Sequence, residues 1–193
     1  MIQPLDALRA IAQHRDDAIV VPTMTTVEPW HELSPSALNV SCIGFMGGAS
    51  SLGLGLALAR PERKVLVLDG DGSLCMQLGT LATIAGAAPP NLYHFVFKNG
   101  VYQVSGGQPI PAADRIDFAL MARGAGYPTV YSFDDLEELR MRLPAVLAAR
   151  GPVFIQLVTE PIPNPPEGGV INASFAAEAE AARAALLGPL GKV

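Results

Sequence analysis

Residues 64–77 read Lys-Val-Leu-Val-Leu-Asp-Gly-Asp-Gly-Ser-Leu-Cys-Met-Gln, and this stretch decides the fold. Its first five residues are mostly β-branched and aliphatic, as in a buried strand. A glycine turn follows at residues 69–73, and Leu74 begins a helical pattern. A strand, a tight turn and a helix in this order form the repeating unit of parallel α/β sheets.

The same alternation continues along most of the chain. It predicts five buried strands, at residues 18–21, 64–68, 92–97, 129–132 and 153–158. It also predicts five helices, at residues 6–13, 49–59, 74–85, 116–125 and 136–149, the last with Asp134 as its N-cap. The predicted fold class is α/β, with an open, mostly parallel sheet and helices on both faces. Such sheets bind ligands at the carboxyl ends of their strands.

A length of 193 residues predicts a single domain, 1–193. We expect a core at about 18–160, a Pro/Gly-rich linker at 161–172, and a C-terminal helix and tail at 173–193. Half of the residues are hydrophobic and 16% are charged, which excludes a disordered chain. So few charges, with a mean hydropathy of +0.32, predict an exposed apolar surface that a partner covers.

Composition excludes several function classes. The net charge of −5 and the lack of any Lys/Arg cluster longer than Arg63-Lys64 argue against nucleic-acid binding. Residues 34–59 have no charge, but their glycines, serines, Pro35 and Asn39 argue against a membrane span. Cys42 and Cys75 form neither a disulfide framework nor a zinc pattern. With no secretory signal pattern at the N-terminus, we expect a cytoplasmic location.

The glycine turn predicts an anion site. Main-chain N–H groups at the start of a helix are unpaired and favour an anion such as a diphosphate. The Asp71 carboxylate would repel that anion unless a cation lay between them. Mg²⁺ prefers carboxylate, carbonyl, water and phosphate oxygens, and therefore meets this requirement.

A second oxygen ligand is expected from the next strand. Asn99 lies 28 positions after Asp71, an interval that one helix and one strand fill. Both side chains should then meet at one edge of the sheet. Taken singly, Asp-Gly and Asn-Gly are common turn dipeptides, so the two together are the more specific signal.

At this point the residues resemble a known family. Gly70-Asp71-Gly72 with Asn99 is similar to the motif of thiamine diphosphate (ThDP) enzymes, the family of pyruvate decarboxylase and acetolactate synthase. The segment 44–53 resembles the family's region before that motif, with Met46 at the bulky apolar position between glycines. Residues 78–83, 99–102 and 105–109 resemble the sulfopyruvate and phosphonopyruvate decarboxylase branch. The resemblance covers about residues 18–160.

The resemblance implies roles for individual residues. Mg²⁺ would be bound by Asp71, the Asn99 side chain and the Val101 carbonyl. The Gly44 carbonyl would accept from the cofactor's aminopyrimidine, and Met46 would hold that ring bent against the thiazolium. Taken together, the implied cofactor contacts are Gly44, Met46, Gly70, Asp71, Gly72, Ser73, Asn99, Val101, Tyr102 and Thr25. Thr26 is the alternative to Thr25.

Two features depart from the family. Its usual pair of asparagines is here Lys98-Asn99, which retains the expected ligand. The activating glutamate belongs in the family to a pyrimidine-binding domain, which these residues do not contain. The resemblance therefore implies a β subunit that works with a separate α subunit in a hetero-oligomer.

Other polar residues have competing interpretations. His31 is the best of three histidines for proton transfer, whereas His14 fits a solvated position and His94 a satisfied core position. Tyr102, Gln103 and Gln108 could shape the substrate end of a pocket or simply cover the cofactor. Lys98 and Arg115 are candidates, by position only, for binding an anionic substrate.

Three functions stay open on the sequence. The leading one is decarboxylation of an anionic 2-oxo acid by a ThDP- and Mg²⁺-dependent enzyme. The second is a carboligase with the same cofactor, similar to acetolactate synthase. The third is a binding module in which Asp71 and Asn99 grip a Mg²⁺-diphosphate without chemistry.

Overall fold

The computed structural model describes residues 1–161 and 175–187, and in these residues a five-stranded parallel sheet forms the centre of the molecule. The strands stand in the order β1-β2-β3-β7-β6, and every neighbouring pair is parallel. They are β1 (Ile19–Pro22), β2 (Val65–Gly70), β3 (Leu92–Lys98), β6 (Thr129–Phe133) and β7 (Val153–Val158). The predicted α/β class is confirmed.

The remaining elements connect or cover these strands. The described helices are α1 (Pro4–Ala12), α2 (Val27–Leu33), α3 (Ala49–Ala59), α4 (Asp71–Cys75), α5 (Thr80–Ala87), α6 (Phe118–Ala125), α7 (Leu136–Ala148) and α8 (Phe175–Leu187). Two short 3₁₀ turns lie at Met24–Thr26 and Gln103–Ser105. A small antiparallel hairpin pairs β4 (Val101–Tyr102) with β5 (Gln108–Pro109).

Each face of the sheet has its own buried cluster because alternate strand residues point to opposite faces. One cluster packs Leu66, Phe95 and Ile155 with residues of α1 and α7. The other packs Val67, Val96 and Phe154 with residues of α3, α5 and α6. Helices therefore cover both faces, and the strand ends are left for the loops.

The five predicted strands agree with the structure to within two residues at either end. The predicted single helix at 74–85 is wrong. The chain forms α4, turns, and then forms α5, whose first residue Thr80 accepts a hydrogen bond from Ser50 Oγ on α3 (2.9 Å) and donates to Gln77 O. Between the two helices the main-chain hydrogen bonds span three residues, as from the Thr80 N–H to Gln77 O at 3.0 Å, so the tertiary contact of Thr80 coincides with the break.

Two local details also differ from expectation. Asp134 does not cap α7; Asp135 does, and its Oδ1 accepts from the Glu138 N–H at 2.8 Å. The reason is where the helix begins: its first residue is Leu136, so Asp135 is the residue at the N-cap, and its carboxylate reaches the N–H three residues later. Helix α2 and the β4–β5 hairpin had no counterpart among the predicted elements.

Part of the predicted C-terminal organisation lies outside the described residues, namely 162–174 of the linker and helix start and 188–193 of the tail. The C-terminal helix itself is present as α8. None of the described helices is both long enough and apolar enough to cross a bilayer.

Candidate functional site

Asp71 stands at the carboxyl end of β2, where it is the first residue of α4. Its side chain is buried, and each carboxylate oxygen accepts a main-chain N–H. Oδ1 accepts from Gly72 at 2.8 Å, and Oδ2 accepts from Gly100 at 2.6 Å. Since Gly100 follows β3, the carboxylate bridges the ends of two neighbouring strands.

Burial raises the pKa of Asp71 above the ordinary value for an aspartate. The N–H groups of Gly100, Gly72 and Asn99, together with the charge of Lys98, act in the opposite direction. Desolvation is the largest of these effects, so keeping the buried carboxylate ionised costs free energy. A cation beside it would remove that cost.

Asn99 is fixed beside this carboxylate by two hydrogen bonds of its side chain. Nδ2 donates to Gln103 Oε1 at 2.9 Å, and Oδ1 accepts from the Val101 N–H at 3.0 Å. Nδ2 and Oδ1 are assigned by these partners. The structure thus brings Asp71 and Asn99 to the same edge of the sheet, as two successive parallel strands require.

Ser73 joins the glycine turn to the upstream segment. Its buried Oγ accepts from the Gly47 N–H at 3.0 Å, which brings residues 44–48 against α4. Gly44 in that segment has φ +73°, and apart from its two chain neighbours nothing lies within 4 Å of the position a Cβ would occupy. The main chain at Gly44 therefore borders open space.

Gly72 packs tightly against the hairpin. A Cβ at this position would lie 2.7 Å from Cδ1 of Tyr102, so only glycine fits while the ring stays in place. Burial and the charges of Cys75 and Asp71 raise the pKa of Tyr102. The packing of the Tyr102 ring on Gly72 places the β4–β5 hairpin against the start of α4.

Apolar side chains stand around this edge of the sheet. Met46 is half-buried, whereas Phe45 is 61% exposed and its ring lies against Gly48. Met76 is 55% exposed and lies close to Gly47, and Val104 in the turn after β4 is 37% exposed. The exposed apolar surface expected from composition thus includes residues that flank the candidate site.

The turn after β1 contains Thr25 and Thr26, of which one or the other was expected near an anion. Thr26 is buried, and its Oγ1 accepts from the Thr23 N–H and lies 3.0 Å from Leu68 O. Thr25 is half-buried next to it. This turn packs against the turn at Gln103–Ser105, so Thr25 lies on the side of the molecule that carries Asn99.

His31 lies on α2 and contacts the segment before Gly44. Its Nε2 lies 2.9 Å from Ser41 Oγ and 3.7 Å from Glu178 Oε2 on α8. A second oxygen of Glu178 accepts the Ser41 N–H. The expected role of His31 in proton transfer stays a prediction.

The two cations proposed for substrate binding have other contacts. Lys98 Nζ donates to Ile116 O at 2.7 Å. Arg115 is exposed, and its Nε lies 3.8 Å from Asp114 Oδ1. Gln108, which was expected either to shape the substrate end of a pocket or to cover the cofactor, is exposed and lies near Gly106.

Two relationships were missed by sequence reasoning. Gln103 orients Asn99, although it was expected only to line or cover a pocket. His94 does occupy a core position, where its Nε2 lies 3.1 Å from Oδ2 of Asp69 and both side chains are fully buried. The expectation that it is satisfied holds for Nε2 alone, because Nδ1 has no hydrogen-bond partner among the described residues. The one signal for this pair was the presence of two polar residues in strand stretches that are otherwise apolar.

The residues present fit a Mg²⁺ ion and a bound diphosphate. A buried carboxylate and a neighbouring amide oxygen are hard ligands of the kind that Mg²⁺ takes. Among the described residues, no three His, Cys, Asp or Glu side chains cluster as metal ligands would. An ion here would therefore also need carbonyl, water and phosphate oxygens.

Comparison with known protein families places most of the chain in one of them. The family described as thiamine pyrophosphate enzyme, C-terminal TPP binding domain, matches residues 23–157. This range includes Asp71, Asn99 and the segment around Met46.

Individual relatives agree with this family. A phosphonopyruvate decarboxylase of Streptomyces viridochromogenes is 38% identical over 147 residues, 76% of this chain but 36% of the relative. A sulfopyruvate decarboxylase subunit beta of Methanothermobacter thermautotrophicus is 35% identical over 162 residues, 83% of this chain and 84% of the relative. The chain thus spans about a third of the first relative and most of the second.

Solved structures share the fold. A thiamine diphosphate-dependent 4-hydroxybenzoylformate decarboxylase of Rhodococcus jostii superposes with a TM-score of 0.71 at 24% identity. The match covers 84% of this chain and 33% of that one.

Proposed function

Because the chain belongs to the thiamine pyrophosphate enzymes and matches their C-terminal TPP-binding domain, we propose that it is the diphosphate-binding subunit of a ThDP- and Mg²⁺-dependent 2-oxo acid decarboxylase. The sulfopyruvate or phosphonopyruvate type is favoured by the relatives of those names. The observation that carries the proposal is the hydrogen bond from the Gly100 N–H to the Asp71 carboxylate. This bond joins the turn that contains Asp71 to the turn that contains Asn99.

In this proposal Asp71, the Asn99 amide oxygen and the Val101 carbonyl hold the Mg²⁺ ion. Support comes from the burial of Asp71 and from the fixed orientation of the Asn99 side chain. The cation would offset the desolvation that raises the pKa of Asp71.

The diphosphate would lie against the glycine turn. Gly70, Gly72 and Ser73 border its path, with Thr25 as a helper from the turn after β1. Tyr102 would close the side of the turn, since its ring already packs on Gly72. The dipole and N–H groups at a helix start favour an anion there.

The pyrimidine end of the cofactor would lie along residues 44–46. The open space beside Gly44 supports an acceptor role for its carbonyl oxygen, and Met46 would contact the ring. The hydrogen bond between Ser73 and Gly47 keeps this segment next to the diphosphate turn.

Bound ThDP would supply a nucleophilic carbon for the 2-oxo acid and an acceptor for the electron pair released with CO₂. This chain's own residues would bind and orient the cofactor, and its apolar side chains would exclude water. His31 is retained as a candidate for moving a proton, although its contacts are with Ser41 and Glu178.

We propose an α subunit with a pyrimidine-binding domain as the partner. The support is the relative named subunit beta, of which this chain covers 84%. Phe45, Met76 and Val104 supply exposed apolar surface at the edge where such a partner would sit. The complex would act on a small 2-oxo acid.

The binding test uses the full chain. Calorimetric titration with ThDP should show binding in Mg²⁺ and a large loss of affinity in excess EDTA. Failure of ThDP to bind, or equal ThDP affinity with Mg²⁺ and with excess EDTA, would refute the proposed site.

The reaction test adds a pyrimidine-binding chain and 3-sulfopyruvate or 3-phosphonopyruvate. Release of CO₂ with a free aldehyde supports decarboxylation, and an acyloin formed with a trial acceptor identifies a carboligase instead. Tight ThDP binding without exchange of the cofactor's C2 proton would identify a non-catalytic module.

A further inference from the structure

A buried polar pair lies directly beneath the candidate metal site. Asp69 Oδ2 lies 3.1 Å from His94 Nε2, and neither side chain has any exposed surface. Asp69 is two residues before Asp71, and His94 is five residues before Asn99. The pair therefore links the two strands whose ends bear the proposed ligands.

Both oxygens of Asp69 are in use. Oδ1 accepts from the Gly70 N–H at 2.9 Å, while Oδ2 contacts His94. Gly70 ends β2 and Asp71 starts α4, so the chain changes direction at this point. Asp69 thus fixes the peptide that leads into Asp71, and His94 fixes Asp69.

Such a pair is costly in a core. Two apolar side chains would suit buried parallel strands without removing charged or strongly polar groups from water. The surrounding cluster on this face is otherwise mainly apolar. What the pair adds is the hydrogen bond from the Gly70 N–H to Asp69, which fixes the turn at Gly70. The same turn places the Asp71 carboxylate where it accepts the Gly100 N–H.

We infer that His94 is a positioning residue, which acts through Asp69 to keep the Gly70–Asp71 turn in the arrangement that binds the metal ion. The inference rests on the proposed function. His94 would touch neither metal nor cofactor, and its effect would be on metal affinity.

Tyr127 offers a matched control in the same core layer. Its ring packs edge-on against Phe154, which packs in the same way on His94. Its buried hydroxyl has no hydrogen-bond partner among the described residues. Burial and the charge of Asp69 raise the pKa of Tyr127. Tyr127→Phe removes a buried polar atom without altering the Asp69–His94 contact.

The test measures the Mg²⁺ dissociation constant of the full chain at saturating ThDP, and the melting temperature without ligands. His94→Leu should weaken Mg²⁺ binding about tenfold, because loss of a group that orients a ligand has an effect of this size. His94→Gln places an amide near the former Nε2 and should stay within about threefold of the parent. Tyr127→Phe should bind Mg²⁺ as the parent does.

A purely structural role would give a different pattern. His94→Leu would then lower the melting temperature and leave the dissociation constant unchanged, and the inference would be overturned. If His94→Leu does not fold, His94→Asn replaces it, since its shorter amide does not reach Asp69; equal affinities of the Asn and Gln variants would overturn the inference. Failure of the parent itself to bind Mg²⁺ would instead refute the proposed function.

Discussion

The main-chain N–H of Gly100 donates to Oδ2 of Asp71 over 2.6 Å, and this bond ties the turn after β3 to the turn after β2. Charge-assisted hydrogen bonds of this length are among the stronger ones in proteins. Asp71 is consequently fixed before any ligand arrives, at the cost of being buried. The site is therefore preorganised on its acidic side.

Asp71→Asn tests the role of this charge. We expect Mg²⁺-dependent ThDP affinity to fall by about a hundredfold or more, because a neutral amide oxygen lacks the negative charge with which a carboxylate attracts a divalent ion. Isothermal titration of the full chain in Mg²⁺ measures the loss.

The same variant should fold. Because the pKa of Asp71 is raised, the native state favours the protonated carboxyl more than the unfolded state does. The free energy of unfolding therefore falls as the pH rises above the pKa that Asp71 has in the unfolded chain. Removing the charge offsets the loss of one acceptor, and the melting temperature should shift by only a few degrees. Parent-like ThDP affinity in a folded Asp71→Asn chain would rule out the metal assignment.

Gly72→Ala tests the packing between the glycine turn and the hairpin. The new Cβ would lie 2.7 Å from Tyr102 Cδ1, so the ring or the turn must move. We expect a loss of about 1–3 kcal/mol in the free energy of unfolding, and weaker ThDP binding. Thermal denaturation and titration measure the two effects.

Gly86→Ala is the matched control. Gly86 lies in α5 and is exposed, and apart from its chain neighbours and the helix's own backbone nothing lies within 4 Å of the position that an alanine Cβ would occupy. Alanine there should stabilise the chain by about 0.5–1 kcal/mol through helix propensity. If the two alanine variants behaved alike, Tyr102 would not be fixed against the turn.

The principal features of the sheet could be predicted because they depend on strand pattern alone. Residues 64–70 and 92–98 are mainly apolar, with polar residues following each of them, and successive parallel strands end at the same edge. The proximity of Asp71 and Asn99 follows from this rule. The break between α4 and α5 does not, and it coincides with the Ser50–Thr80 contact between distant segments.

The supporting contacts of the site were beyond sequence reasoning for a similar reason. The Asp69–His94 contact depends on the register of β2 against β3, in which Val67 lies opposite His94. Gln103 reaches Asn99 only because the chain turns through Gln103–Ser105. Strands β2 and β3 are buried on both faces and apolar at almost every position, so their sequences show no alternation from which a register could be derived.

The two cysteines should be unreactive in the folded chain. Burial, with a smaller contribution from Asp69, raises the pKa of Cys42 to about 11. Burial and the charge of Asp71 do the same for Cys75, also to about 11. At pH 8 only about one thiol in a thousand would then be thiolate, the reactive form.

Alkylation by iodoacetamide checks this expectation. At pH 8 the native chain should react on the order of a hundredfold more slowly than the chain in urea, and its rate should rise with pH toward 11. Cys42→Ser and Cys75→Ser assign the two rates. Rapid native alkylation at either position would contradict the shielded environment seen for that thiol.

Gln103 supplies the sharpest test of how the amide ligand is oriented. Asn99 Nδ2 donates to Gln103 Oε1, which leaves Asn99 Oδ1 as the atom available to a cation near Asp71. Gln103→Leu removes the acceptor, so the Asn99 carboxamide keeps only one of the two hydrogen bonds described above, that from the Val101 N–H, and is oriented less firmly. The Mg²⁺ dissociation constant at saturating ThDP should rise about tenfold.

Gln103→Glu is the matched variant, because it keeps an oxygen in place of Oε1 and adds a negative charge near the ion. Its Mg²⁺ affinity should equal or exceed that of the parent, whereas a Leu variant that bound Mg²⁺ as the parent does would show that the oxygen at this position is not needed. Asn99→Ala in the Gln103→Leu background completes the double-mutant cycle. If Gln103 acts through Asn99, Gln103→Leu should weaken Mg²⁺ binding little further in a chain that already carries Asn99→Ala. If the losses of binding free energy from the two substitutions were fully additive, Gln103 would not act through Asn99.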